Sequence, residues 1–184
     1  METSFVVADN IKKGKIYRFR FRTLNINGWS DYSPISYIRA ATLPERPPAP
    51  AFLTATSTSI TVNLFSSSNT GGSEILYYEL YRNIGGVATD YQKVNTYDGN
   101  SVQHTLTVAD DNLTQGIIYK LRALAVNAYG SSDFSDEVDA GVSSFPGKPN
   151  SVRKVSAESS QTSITLEWDQ STATELGVIG YRLL

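Results

Sequence analysis

Residues 17–33, YRFRFRTLNINGWSDYS, lie over residues 119–135, YKLRALAVNAYGSSDFS, at an offset of 102 residues. Tyr17 meets Tyr119, Asn25 meets Asn127, Gly28 meets Gly130 and Ser33 meets Ser135. The prolines keep this offset, with Pro44 and Pro47 falling on Pro146 and Pro149. A second block, TSITVNLF (58–65), lies over TSITLEWD (162–169) at an offset of 104. A repeat of about 100 residues is a whole domain, too long for one turn of a solenoid. The 184 residues therefore hold one complete unit and parts of two more.

Within the unit the period is that of strands. SITVNLF sets Ile60, Val62 and Leu64 against Ser59, Thr61 and Asn63, while ILYYELY and HTLTV are short and rich in aromatic or β-branched residues. Clusters such as SSSNTGGS, NIGG and YDGN separate them as turns. No stretch has an amphipathic helical period. About seven short strands in about 100 residues predict an antiparallel β-sandwich.

The residues resemble the fibronectin type III family over essentially the whole chain. The resemblance is carried by the entry PERPPAP, by SITLEWD with Trp168 at the family's core tryptophan, and by the tyrosine-bearing ILYYELYR and VIGYRLL. Its most specific part is the pattern through Leu113, Gly116, Tyr119, Ala125, Asn127, Gly130 and Ser135, repeated earlier through Ile11, Gly14, Tyr17, Asn25, Gly28 and Ser33. The central unit departs from it at Leu64, where the following copy has tryptophan. The fold class expected is all-β: tandem immunoglobulin-like (fibronectin type III) sandwiches, one complete and two partial. Residues 44–142 form the complete domain, 1–43 the C-terminal half of another (strands E–G) and 143–184 the N-terminal half of a third (strands A–C). About twenty residues of the repeat, including a fourth strand, separate the two halves when both are laid on the central unit. An isolated half-sandwich exposes a sheet face and strand edges. The bland expectation is a piece of a longer array; the sharper one is that the half-domains complete each other between chains, building a head-to-tail filament.

Candidate residues fall into three groups. Tyr17 and Tyr119 are expected to form tyrosine corners, Gly14 and Gly116 to make the preceding turns, and Trp168 to anchor a core. Asn112-Leu113-Thr114 is the sole N-glycosylation sequon, so Asn112 is a candidate glycan site. Asn69 and Gly71 in NTGGS, and Trp29 and Tyr129 in the later loops, are candidate partner contacts at one end of the sandwich, with inter-domain packing as the blander reading. Arg18, Arg20 and Arg22 alternate with Tyr17, Phe19 and Phe21, which puts the three cations on one strand face and favours a solvated face over a nucleic-acid surface. His104 is expected at a surface or edge.

Composition narrows function. With no cysteine, disulfides and thiolate chemistry are excluded; with one histidine, a His-rich zinc site is too. Net charge is −2, but residues 1–43 carry seven Lys/Arg against three Asp/Glu and residues 44–142 carry five against eleven. A mildly acidic middle argues against nucleic acid. No apolar run approaches the roughly 18–20 residues of a membrane span, and no secretion signal is read after Met1. No nucleophile, base or phosphate loop is assembled. The expectation is a non-enzymatic structural or adhesion scaffold without cofactors, its proline-bearing linkers making it semi-rigid and its partners proteins, copies of itself among them. The resemblance favours an extracellular or cell-surface location, with an intracellular cytoskeletal one as alternative. An accessory spacer of a larger secreted enzyme and a component of an intracellular or ciliary filament remain open.

Overall fold

The computed structural model describes residues 3–172 and 174–184. In the central unit the alternating segments become strands β5 (Ala51–Ala55), β6 (Ser59–Asn63), β7 (Ile75–Asn83), β8 (Tyr91–Lys93), β9 (Gln103–Thr107), β10 (Ile118–Asn127), β11 (Gly130–Ser131) and β12 (Val138–Gly141). They follow β1 (Ile16–Phe19), β2 (Leu24–Asn25), β3 (Gly28–Trp29) and β4 (Ser36–Arg39), and precede β13 (Arg153–Lys154) and β14 (Leu166–Glu167).

One sheet of the central unit has the order β5-β6-β9 and the other β8-β7-β10-β12, with β11 folded onto the end of β10. All these pairs are antiparallel, with Ile60 opposite Leu106 and Ala123 opposite Leu80. Ile60, Val62 and Leu106 from one sheet meet Leu80, Leu121 and Ala123 from the other, with Val94, Leu113, Tyr119, Ala140 and Val142 closing the core. The fold is therefore all-β, built as packed sandwich sheets.

A single helical turn, α1 (Val108–Asp111), interrupts this pattern. Thr107 caps the turn, its Oγ1 accepting from the Asp110 backbone N–H at 2.9 Å, while the Asp111 carboxylate accepts from the Thr107 N–H at 2.8 Å. Four residues are too few to display a helical period, so the turn carries no periodic signal in the sequence.

The outer units differ from the expected strand sets. In the leading one, β1 pairs with β4, but residues 3–8 form no strand and Phe5 and Val6 are exposed. In the trailing one, β13 pairs with β14, but residues 178–184 form none. The cause is visible in the central unit. Strand β9, the counterpart of residues 3–8, pairs only with β6; strand β7, the counterpart of the chain's last residues, pairs with β10. Each outer unit keeps the pair whose two members it contains and lacks the strand whose partner it does not. Trp168, expected as a core anchor, is corrected for the same reason: it is 38% exposed, resting on Tyr181 at 5.7 Å between centroids, and among the described residues no second sheet covers it.

Candidate functional site

The two corner tyrosines have matching geometry. Tyr119 is buried and its hydroxyl accepts from the Thr114 N–H at 2.8 Å; Tyr17 accepts from the Lys12 N–H at 2.7 Å and donates to the Asn10 carbonyl at 3.1 Å. Before each lies a glycine in the left-handed region, Gly116 at φ 78° and Gly14 at φ 77°, whose N–H donates to the Val142 and Ala40 carbonyls, 2.8 Å each. The corner thus closes each unit's last strand onto the turn before its long hairpin.

That turn also meets the next unit, and it does so twice. At the first junction Lys13 Nζ bonds Asn69 Oδ1, and a Cβ on Gly72 would stand 2.9 Å from both the Ala40 carbonyl oxygen and the Gly14 nitrogen. At the second, Gln115 Nε2 bonds Glu175 Oε1, and a Cβ on Gly116 would lie 3.5 Å from Glu175 Cβ. Lys13 and Gln115 are repeat equivalents at the offset of 102. Asn69 and Glu175 lie in the loop after the second strand of the following unit. One turn therefore docks on one loop at both junctions.

The first junction is stitched further by the linker. Thr42 N–H donates to Gly71 O at 2.9 Å, and the Glu45 N–H donates to Asn69 O at 2.9 Å. The Glu45 carboxylate accepts from Ser68 Oγ and Asn69 Nδ2, each at 3.1 Å. Asn127, buried at the end of β10, donates both amide protons outward, to Thr42 O at 2.8 Å and Thr70 O at 2.9 Å. At the second junction Ser143 Oγ lies 2.9 Å from Glu175 Oε2. The Glu175 carboxyl is held below its ordinary range, first by a hydrogen bond from its own backbone and then by the Ser143 hydroxyl.

Asn69 and Gly71, candidates for an outside partner, are thus occupied by the chain's own linker. Trp29 and Tyr129 are not drawn into either junction by the hydrogen bonds described. Trp29 stands in the β2–β3 hairpin with the Arg22 guanidinium 4.5 Å over its ring, and Tyr129 is 44% exposed at the tip between β10 and β11. Asn127 and Glu45 were missed by sequence reasoning. Asn127 was visible as a repeated asparagine opposite Asn25, yet nothing in the letters distinguished a side chain that spans two units from one that caps a turn.

Of the three alternating arginines, Arg20 and Arg22 lie over aromatic rings. Arg20 lies 4.1 Å over Tyr32, and its counterpart Arg122 lies 3.5 Å from Tyr91 and 3.9 Å from Phe134. Lys120, opposite Asp139 in the ladder, ion-pairs with Glu137 and Asp139; Arg18, the equivalent residue, stands opposite Tyr37. His104 lies on β9, the edge strand of its sheet, as expected, and is half-buried there. Its Nε2 lies 3.0 Å from Thr96 Oγ1, which donates to the Asp111 carboxylate at 2.5 Å, so His104 donates from Nε2. Burial lowers its pKa, opposed by Asp111 and Asp98. Nearby, burial pushes the Tyr97 phenol up to about 12, and hydrogen bonds from Ser101 bring Asp98 down to about 2. Among the described residues, no group of three or more His, Asp and Glu is placed to hold a metal ion, and no helix is long and apolar enough to cross a membrane.

No protein-family model matches the chain. Among curated proteins, the Xenopus laevis "Cell adhesion molecule-related/down-regulated by oncogenes" is 34% identical over 100 residues, 54% of this chain and 7% of that protein. The chain therefore spans only a small part of that relative's length. Among solved structures, domains A168–A170 from titin match with a TM-score of 0.50 at 19% identity, covering 59% of this chain and 36% of that one. The sixth fibronectin type III domain from human fibronectin type III domain containing protein 3 matches at 22% identity and a TM-score of 0.46, over 60% of this chain and 95% of that one. Most such neighbours are fibronectin type III domains. The two-sheet sandwich of the central unit has the fibronectin type III fold.

Proposed function

We propose that the chain is a non-enzymatic structural and adhesion scaffold, a semi-rigid run of sandwiches that sets the spacing and orientation of protein-binding surfaces at or outside the cell surface. The observation that carries this reading is the repeated joint: Lys13 on Asn69 and Gln115 on Glu175 put the same turn on the same loop at two successive junctions. A flexible tether has no use for such contacts, whereas a spacer needs each unit held at a set angle to the last. The adhesion-related name of the Xenopus laevis relative supports the same reading. The loop-tip aromatics Trp29 and Tyr129 are the surfaces we assign to partners.

The chain has no cysteine, so two introduced at Asn27 and Thr89 can carry spin labels without background. A narrow inter-label distance distribution is expected, broadening in Gly72→Val, whose side chain would strike Ala40 and Gly14. A native distribution as broad as the variant's would refute the joint.

The outer units support a second element, inter-chain completion. Residues 3–8 lack the partner that β6 gives β9, and residues 178–184 lack the partner that β10 gives β7. Each outer half thus has the pairing strand the other lacks, and a head-to-tail filament follows if they join between copies. Light scattering should then show mass rising with concentration; a steady 20.1 kDa at high concentration excludes it.

A further inference from the structure

We propose that Asn112 is an acceptor for one N-linked oligosaccharide, and that its repeat counterpart Asn10 is not. Asn112 sits between Asp111 and Leu113, both buried, and is itself exposed. Its amide makes no hydrogen bond among the described residues. The backbone there is left-handed, φ 51° and ψ 43°, ending α1.

Asparagine at this place has a structural cause. Asn10, its equivalent at the offset of 102, has φ 58°, and asparagine tolerates the left-handed region better than most residues. The same cause does not extend to Thr114. Its backbone N–H makes the bond to Tyr119, but its hydroxyl makes no hydrogen bond among the described residues and is exposed. Its counterpart Lys12 makes the same backbone bond to Tyr17, so the corner closes without a hydroxyl. The fold thus accounts for the asparagine and leaves the threonine two residues on without a structural task. Recognition of Asn-Leu-Thr as a glycan acceptor gives it one.

The chemistry is a group transfer from a lipid-pyrophosphate-linked oligosaccharide. A bond forms between Asn112 Nδ2 and the sugar's anomeric carbon, the bond from that carbon to the pyrophosphate breaks, and the amide proton leaves with the pyrophosphate. Gln115, on the same turn, reaches Glu175 of the trailing unit. The glycan would stand beside the second joint and leave the first, with its Asn10-Ile11-Lys12, bare.

The proposal rests on the extracellular reading for its use in the native protein, but the acceptor itself is testable apart from it. The full chain, secreted behind a heterologous leader from a eukaryotic host, should show one oligosaccharide by intact mass, removed by peptide N-glycosidase with Asp left at position 112. Asn112→Gln and Thr114→Val should each abolish it, and Lys12→Thr should add a second at Asn10. A wild-type chain of unmodified mass overturns the proposal, above all if Lys12→Thr is modified in the same host. The native protein's compartment, read by fractionation, judges the extracellular reading separately.

Discussion

The central and outer units share one sequence pattern and differ in what that pattern achieves. Ile60 and Val62 are fully buried, whereas Ile164, the equivalent of Ile60, is 69% exposed. Ala123 is buried in β10, while its equivalent Phe21 is 71% exposed although the larger and more apolar of the two. Alternation nominates a face; only an opposing sheet buries it. The same contrast governs backbone order, since strands form where both members of a pair are present and fail where one is missing.

This contrast can be broken most sharply in the core. Leu121→Ala in the central unit should cost about 2–5 kcal/mol, because a fully buried leucine leaves both lost transfer energy and a cavity. Phe21→Ala should stay within about 0.5 kcal/mol, as for an exposed side chain. Urea midpoints of the two variants give the comparison directly. Should Phe21→Ala cost as much at high concentration and nothing at low, inter-chain completion is burying it.

The corners offer a smaller test. Tyr119→Phe leaves the Thr114 N–H without its acceptor and should lower stability by about 1 kcal/mol. Tyr17→Phe removes two hydroxyl contacts, yet in the leading unit water replaces them, and no shift in the main unfolding transition is expected. Equal losses would show that the leading unit unfolds together with the central one.

The smallest effect is a pH dependence confined to the central unit. Burial depresses the His104 pKa in the folded chain below its ordinary value, so the unfolded chain takes up that proton at higher pH. The stability this represents is fully present above about pH 6.5 and is lost as pH falls through the folded pKa. The urea midpoint should therefore drop on acidification from pH 8 to 5, and His104→Gln should flatten part of that slope. A slope unchanged in the variant would assign it to carboxylates instead.

Fold and repeat were legible in the letters because they rest on local period and turn chemistry: Ile60-Thr61-Val62 alternates, Gly14 and Gly116 punctuate, and Tyr17 and Tyr119 recur at a fixed interval. Burial of Trp168 was not, since a tryptophan on the inner face of β14's continuation is inner only if the facing sheet is there. The joint was half legible. NTGGS announced a loop at the right end, but its contacts with Thr42, Glu45 and Asn127 run over tens of residues, and no local signal encodes them. His104 shows the same limit, because its half-burial comes from Thr96 and Tyr97 on the loop after β8.

The linker at the first junction has a mechanical consequence. Thr42 gives its N–H to Gly71 and its carbonyl to Asn127, so chain leaving one sandwich is already fastened to the next before Pro44 is reached. Tension applied along the chain loads those few bonds before it reaches the ladder between β6 and β9. They should part first and re-form first, giving this joint a short elastic give while the central sandwich stays folded.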